Sequence, residues 1–353
     1  MSTDPRSTAL HNFVATHASA WQIDTESLAP ASADASFRRY FRVASQHPQH
    51  NSFIIMDAPP SHEDTAPFTR VAALLLAQGL RVPEVLASDI ENGFLLLSDL
   101  GAHTFLSTLN VDLPQAAAGL YGTAFDALVV LQKTCLNACT AAQISPYSAE
   151  KLLAEMELFP VWFLGKHCGI ILTEKQTQLL YLAFDLIIKN NVAEPQVLVH
   201  RDYHSRNLML PDINHSKHSS PGILDFQDAV IGPMSYDVVS LLRDAYIEWP
   251  EPQQIDWAIL YWQKCLAAGL PVREDFGQFW RDFEWMGLQR HLKVLGIFAR
   301  LCHRDGKMAY MNDLPLVSRY VRQVAQRYDG LGILVRLLDQ AEGVARPAAS
   351  FTF

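Results

Sequence analysis

Two lobes are predicted for this chain, one rich in β-strand and one mainly helical, in an α+β architecture. Three observations lead there. Strand-like segments cluster ahead of residue 98, long helical patterns dominate from residue 113 onward, and two short Asp-containing motifs interrupt those helices. The length of 353 residues suits roughly two domains, and with 49% of residues apolar a sizeable core can be buried.

The elements follow in order. Residues 7–21 carry Leu10, Phe13, Val14 and Trp21 at helical spacing. The small, polar run ASADAS at 31–36 separates that helix from strand-like segments at 37–43 and 53–56, the second ended by DAPP at 57–60. A helix over 66–79 is stopped by Gly79, whose missing side chain suits a C-cap. Two more strands, 85–88 and 94–97, flank the turn ENG at 91–93. The tetrapeptide SDLG at 98–101 marks the change of character: an N-lobe over 1–97, a hinge at 98–101 and a C-lobe over 102–353. Helices are expected at 116–134, 148–167, 174–191, 253–268, 275–304 and 313–327. The polar stretch 214–221 reads as the tip of a surface hairpin.

Composition excludes several classes. No apolar run approaches the ~18–20 residues needed to span a membrane, and the N-terminus MSTDP carries no basic segment followed by an apolar one. The five cysteines are scattered, which fits a reduced, cytoplasmic protein. Cys135 and Cys139, four apart, are expected as a buried pair on one helix. A net charge of −9 argues against general nucleic-acid binding. Neither a membrane nor an obligate protein partner is indicated.

The chemistry lies in two motifs. Residues 197–210 read VLVHRDYHSRNLML, and 222–228 read GILDFQD. An Asp five residues before an Asn, on a loop between apolar segments, followed by an Asp at a strand end, is the layout of a kinase catalytic loop with its metal-binding partner. Phosphoryl transfer asks for charge neutralisation and an oriented acceptor rather than covalent help. Asp202 can take the proton of an attacking hydroxyl. Asn207 and Asp225 are hard oxygen ligands suited to Mg²⁺ bridging the phosphates of ATP. His200 braces the loop. The plainer alternative is a turn with an Asx cap and two ordinary loop carboxylates.

These residues resemble the aminoglycoside-phosphotransferase-like branch of the protein-kinase superfamily. Its H-G-D-x-H-x-x-N pattern matches His200, Asp202, His204 and Asn207, with Arg201 where that branch carries Gly. Its later Asp-Phe matches Asp225 and Phe226, and its helix start matches Asp237, a residue the resemblance assigns to tying that helix to the loop. A narrower resemblance, to the anomeric sugar kinases of bacterial cell-wall recycling, is carried by SADASFRRYFR at 32–42, MDAPP at 56–60, LLLSDLG at 95–101, DFQDA at 225–229 and QRHLKV at 289–294. It covers residues 20–325 and implies a two-lobed protein-kinase-like fold. The implied acceptor is the C1 hydroxyl of N-acetylmuramate or N-acetylglucosamine.

One departure stands out. Met56 occupies the strand position where a kinase carries its phosphate-gripping Lys, and helix 66–79 has no Glu to pair with one. Phosphate charge must still be met. Arg38, Arg39 and Arg42 are the nearby cations, and strand alternation sets Arg38 and Arg42 on the opposite side from Arg39. Arg38 and Arg42 are the candidates taken forward. The resemblance makes 31–37 the phosphate-covering loop, with Ser32 and Ser36 as candidate contacts, and 96–100 the adenine-holding hinge, with Leu97 and Asp99.

Substrate signals are weaker. On the helix over 275–304, Arg290, Lys293, Arg300 and Arg304 fall together opposite an apolar face, taking about 100° per residue. Such a stripe suits an anionic sugar acid, with Arg290 and Lys293 as substrate contacts; a solvated charged face is the plainer alternative. Gln227 and Asp228 can reach metal or sugar hydroxyls, and His204 is either a substrate contact or a structural loop histidine. Phe159, Trp162 and Phe163 either stack on a sugar or fill the core. Competing functions are an aminoglycoside or choline-type phosphotransferase and, without the strand Lys, a nucleotide-binding pseudokinase. A protein-substrate kinase is disfavoured because 225–237 leaves no room for an activation loop.

Overall fold

The computed structural model describes residues 4–33, 37–211 and 220–344. The chain divides into two compact units. The first is drawn from Met1–Thr108, Asn137–Gln143 and Arg206–Ala229, the second from Leu109–Leu136, Ile144–Ser205 and Val230–Phe353.

The first unit is built on a five-stranded antiparallel sheet. Its strands are β1 (Ile23–Ala33), β2 (Arg39–His47), β3 (His50–Asp57), β4 (Val85–Asp89) and β5 (Phe94–Ser98), in the order β1-β2-β3-β5-β4. Helix α1 (Pro5–Trp21) starts where the Asp4 side chain accepts from Arg6 N, with Pro5 supplying the fixed backbone angle of a first turn. It lays Leu10, Phe13 and Val14 on Val43, Phe53, Ile55, Phe94 and Leu96, the residues one sheet face presents by strand alternation. Helix α2 (Ala66–Ala77) is followed by Gly79 in the left-handed region at φ 78°, as the sequence predicts.

Strand β1 was not legible. Its sequence IDTESLAPASA is poor in β-branched residues and contains a proline, yet it pairs along β2 with two register breaks. An edge strand needs backbone partners on one side only, so propensity does not decide it. Residues 31–33 of the expected loop belong to this strand: Ser32 pairs with Tyr40 and Ala33 with Arg39.

The first unit also holds most of helix α4 (Leu136–Ala141) and a small hairpin of β7 (Leu208–Met209) with β8 (Gly222–Ile223). The expected hairpin tip at 214–221 falls mostly outside the described residues. The cysteine pair is corrected: Cys139 is buried, but Cys135 precedes α4 and is exposed.

The second unit is mainly helical: α3 (Pro114–Gln132), α5 (Ala149–Met156), α6 (Glu174–Val192), α7 (Tyr236–Leu242), α8 (Glu251–Ala267), α9 (Phe276–Asp305), α10 (Leu314–Ala325) and α11 (Gly332–Ala341). Strands β6 (Gln196–Val199) and β9 (Val230–Pro233) pair antiparallel. Helix α9 is the spine. Asp275 caps its first turn, Gly306 ends it at φ 69°, and every residue from 282 to 296 is buried.

The single helix expected over 148–167 is two pieces, α5 and a π-helical stretch Phe159–His167. Pro160 has no N–H to continue the α-helical ladder, which forces the change. Phe159 and Phe163 are core residues there, with Trp162 packed against the same cluster, so the sugar-stacking alternative is set aside. Among the described residues, no helix is long and apolar enough to cross a membrane.

Candidate active site

The loop carrying Asp202 leaves β6 and is gripped from α7. Both oxygens of the buried Asp237 carboxylate accept backbone N–H groups: His200 N donates to Oδ2 at 2.7 Å and Arg201 N to Oδ1 at 2.9 Å. Arg201 sits at φ 78°, unusual for a side chain with a β-carbon, and this sets the direction in which the chain leaves the anchored peptide toward Asp202. Asp202 N donates to His200 Nδ1 at 3.2 Å, and His204 N to Asp202 O at 3.0 Å. Beyond His204, Ser205 N and Oγ both donate to Asp244 Oδ2, at 3.0 and 2.5 Å. The His204 ring meets Tyr246 edge-on at 5.4 Å. Two carboxylates seven residues apart, on and just after α7, therefore fix the loop on both sides of Asp202.

Charge around Asp202 is positive. Burial works against ionising its carboxyl, but Lys293, His204, Arg201 and Arg290 together outweigh that and hold its pKa below the ordinary value. The carboxylate is thus poised as an ionised acceptor. Asp237 is the opposite case. Burial pushes its pKa up to about 7, against the two N–H bonds that favour the charged form.

A second carboxylate organises the cations. Glu155 on α5 is bonded to Arg201 Nη2 and to the Tyr147 hydroxyl, and it accepts from Gln289 Nε2 at 3.1 Å. Lys293 Nζ lies 3.4 Å from the same carboxylate and 3.2 Å from Tyr236 Oη, to which it donates. Burial would raise the Glu155 pKa; Lys293, Arg201 and the two hydrogen-bond donors bring it below the ordinary value instead.

These facts correct the basic stripe on α9. Arg290 and Lys293 are buried at 3% and 7% exposure among the groups around Asp202, while Arg304 is exposed and paired with Asp305. The four charges keep one side of the helix, but that side is not a solvated stripe: neighbouring elements cover it at Arg290 and Lys293 and leave it open at Arg304. Arg290 Nε and Nη1 are buried without a hydrogen-bond partner among the described residues.

In the first unit, Asn207 and Asp225 are brought together by the hairpin. The register pairs Leu208 with Ile223, and Leu224 N donates to Asn207 O at 2.9 Å, which sets the flanking residues side by side. Asn207 Nδ2 donates to Asp225 Oδ2 at 3.3 Å, and Gln227 Nε2 to Asp225 Oδ1 at 2.7 Å. Asp225 stands at φ 63°, and Phe226 anchors the turn by packing on Phe68 at 4.8 Å. Gln227 Oε1 is buried with no hydrogen-bond partner among the described residues. Two carboxylate oxygens and two amide oxygens form a hard donor set that fits Mg²⁺. Asp228 follows on the exposed side of the turn.

Arg38 pairs with Glu63, Nε and Nη2 each 3.0 Å from Oε2, with both side chains largely buried. Helix α2 lacks a Glu, but the turn just before it supplies one. Arg42 donates to both Asp99 oxygens, at 2.6 and 3.0 Å, and to Gly101 O at 2.8 Å; Ser52 Oγ also donates to Asp99. Arg39 is bound, together with Arg6, to the buried Asp57. Leu97 is buried and paired with Ile54 on one side and Val85 on the other. The Ser32 side chain and all of Ser36 lie outside the described residues.

The model of the phosphotransferase enzyme family matches residues 27–276, well over half of the chain. The chain belongs to the phosphotransferase enzyme family. Among curated relatives of this phosphotransferase, an N-acetylmuramate/N-acetylglucosamine kinase of Pseudomonas putida is 44% identical over 93% of this chain and 92% of its own. One of Neisseria meningitidis serogroup B is 46% identical over 92% of this chain and 93% of its own. In structure, the GDP complex of an aminoglycoside 2'-phosphotransferase superposes with a TM-score of 0.59, covering 90% of this chain and 99% of the other at 14% identity, a likeness of fold. The two-lobed, protein-kinase-like α+β class expected from the sequence is the fold of this phosphotransferase.

Several residues of this phosphotransferase escaped the sequence reading. Glu155 lies three residues after Leu152 and one before Met156, so it shares the buried face of α5, and an acid on such a face was the available signal. Glu63, Asp244 and Tyr147 carry no comparable mark, since each is an ordinary polar residue in a loop until the fold brings its partner.

Proposed function

We propose that this phosphotransferase transfers the γ-phosphoryl group of ATP to the anomeric C1 hydroxyl of N-acetylmuramate or N-acetylglucosamine, in the cytoplasm. The observation that carries the reading is the pair of relatives named as N-acetylmuramate/N-acetylglucosamine kinases at 44% and 46% identity over nine-tenths of the chain. The site chemistry supports it. Asp202, kept ionised by the cations around it, takes the proton as the acceptor oxygen forms its bond to phosphorus and the bond to the ADP oxygen breaks. A hemiacetal hydroxyl is more acidic than an ordinary alcohol, so a carboxylate of low basicity suffices. His200 braces the Asp202 peptide.

Asn207, Asp225 and Gln227 would hold Mg²⁺, which when bound supplies charge neutralisation on the phosphate oxygens. Arg38, oriented by Glu63 much as a kinase Lys is by its Glu, is the preferred phosphate-facing cation, ahead of Arg42, which Asp99 and Gly101 engage. Residues 1–97 would bind nucleotide, with 98–101 as hinge. Ser32, Ser36, Leu97 and Asp99 remain proposed contacts to it. The Arg290 nitrogens that lack a hydrogen-bond partner among the described residues, with Lys293 nearby, favour an acceptor carrying a carboxylate, as the lactyl group of N-acetylmuramate does. His204 and Asp228 are the proposed sugar-hydroxyl contacts.

The test is Asp202→Asn. Turnover should fall by at least ~10²-fold while nucleotide affinity stays within about threefold, since a general base contributes to the transition state only. Turnover within about threefold of the parent would remove Asp202 from the mechanism.

A further inference from the structure

Arg201 occupies a backbone position that ordinarily selects glycine. Its φ of 78° lies in the left-handed region, where a β-carbon crowds the following carbonyl. The loop uses that angle because, with His200 N and Arg201 N both fixed on the Asp237 carboxylate, it sets the direction in which the chain runs on to Asp202. Something must hold a long side chain in a conformation its backbone resists. The Arg201 guanidinium is gripped by Glu155, both side chains being 12% exposed, and it lies over the Tyr147 ring at 5.6 Å. Glu155 is itself held by Tyr147, Gln289 and Lys293, from a loop and from α9. The grip is thus rooted in the core of the second unit rather than in the loop.

We propose that Glu155 is a positioning residue for phosphoryl transfer, acting through Arg201 to lock the peptide ahead of Asp202 in its left-handed turn. The inference rests on the reading of Asp202 as the base. Glu155 touches no reacting atom; it decides where the Asp202 carboxylate points. Glycine at 201 would adopt the same angle unaided, so the need for Glu155 is conditional on the arginine.

That conditionality is the test. Glu155→Gln and Arg201→Gly are made singly and together in the full chain. For each, kcat, KM for nucleotide and amide exchange at 198–204 are measured. In the parent background, Glu155→Gln should lower kcat at least ~10-fold, since a misplaced catalytic group costs up to ~10²-fold, with KM for nucleotide within about twofold. Exchange at Asp202 and His204, the amides beyond that angle, should quicken. In the Arg201→Gly background, the same change should cost less than about threefold and leave exchange unaltered. Equal losses of kcat and protection in both backgrounds would overturn the proposal, since Glu155 would then act by another route. A wild-type protein inactive on every acceptor would sink the functional reading alone, and amide exchange would still decide the Glu155 inference. If Glu155→Gln fails to fold, Arg201→Gly by itself remains diagnostic. Amide exchange at Asp202 and His204 within about threefold of the parent is expected, since glycine takes the same angle unaided, and markedly faster exchange would overturn the proposal.

Discussion

Asp237→Asn removes one acceptor from beneath the Asp202 loop and keeps the side chain's shape. In the parent, the two carboxylate oxygens accept from His200 N at 2.7 Å and Arg201 N at 2.9 Å. The amide offers one oxygen; its NH₂ would face the second N–H donor to donor. Two effects compete. Losing the negative charge relieves the burial penalty, which already lifts this carboxyl to about 7. Charge at neutral pH therefore adds little to the difference, and the count of acceptors decides. A buried N–H left without a partner costs about 1–3 kcal/mol. Expressed locally, that opens the His200 and Arg201 amides about 5- to 150-fold more often. Hydrogen exchange by mass spectrometry on a peptide spanning 198–204 reads this directly, and Asp237→Ala, which orphans both donors, should exceed it. Exchange within about twofold of the parent in both variants would refute the reasoning and leave Asp237 a bystander.

Three further outcomes follow from the same geometry. A β-carbon at Gly296 would stand 2.4 Å from the Leu158 carbonyl carbon and 2.6 Å from its oxygen. Gly296→Ala should therefore lower the thermal midpoint, because overpacking of about 1–3 kcal/mol exceeds the helix-propensity gain of about 1 kcal/mol; a raised midpoint would contradict the close crossing. His291 is buried, bonded through Nε2 to the Arg243 carbonyl at 3.0 Å and stacked on Tyr320, and burial with the nearby Arg290 brings its pKa from 6.5 to about 3. The unfolded chain binds that proton first as pH falls, so stability is lost below pH 6.5, by about 2 kcal/mol between pH 7 and 5. Urea midpoints of His291→Gln should show a correspondingly shallower pH dependence, and parallel curves would count against it. Arg38→Met should raise KM for nucleotide at least ~10-fold by removing the cation paired with Glu63; an unchanged KM would move the phosphate contact to another residue.

Much of the fold was legible because its helices bury faces at regular spacing. Helices α1, α2, α6 and α9 lie within a few residues of the expected ranges, and Gly79 ends α2 as its chemistry demands. What escaped depends on partners rather than local pattern. Strand β1 exists through its ladder with β2, against its own composition. The break at Pro160 could have been read from proline's missing N–H, and the π-helical continuation could not. The motif residues His200, Asp202, Asn207 and Asp225 stood out because their spacing encodes one loop and one hairpin. The residues that hold Asp202 in place come from α5, α7 and α9, far apart in the chain, and only folding shows that Glu155 faces Arg201 or that Asp244 meets Ser205. On α9 the spacing sets four cations on one side, and only packing shows that Arg290 and Lys293 are buried there while Arg304 stays in solvent.

The central claim is that this phosphotransferase places a phosphoryl group on the anomeric oxygen of an N-acetyl sugar. Phosphorus NMR of the product formed from Mg-ATP and N-acetylmuramate, with N-acetylglucosamine, glucose, choline and kanamycin in parallel, tests it most directly. The account predicts a sugar 1-phosphate, its phosphorus coupled to the anomeric proton, from the two N-acetyl sugars. Phosphorylation of kanamycin or choline alone, or of a sugar hydroxyl other than C1, would contradict it.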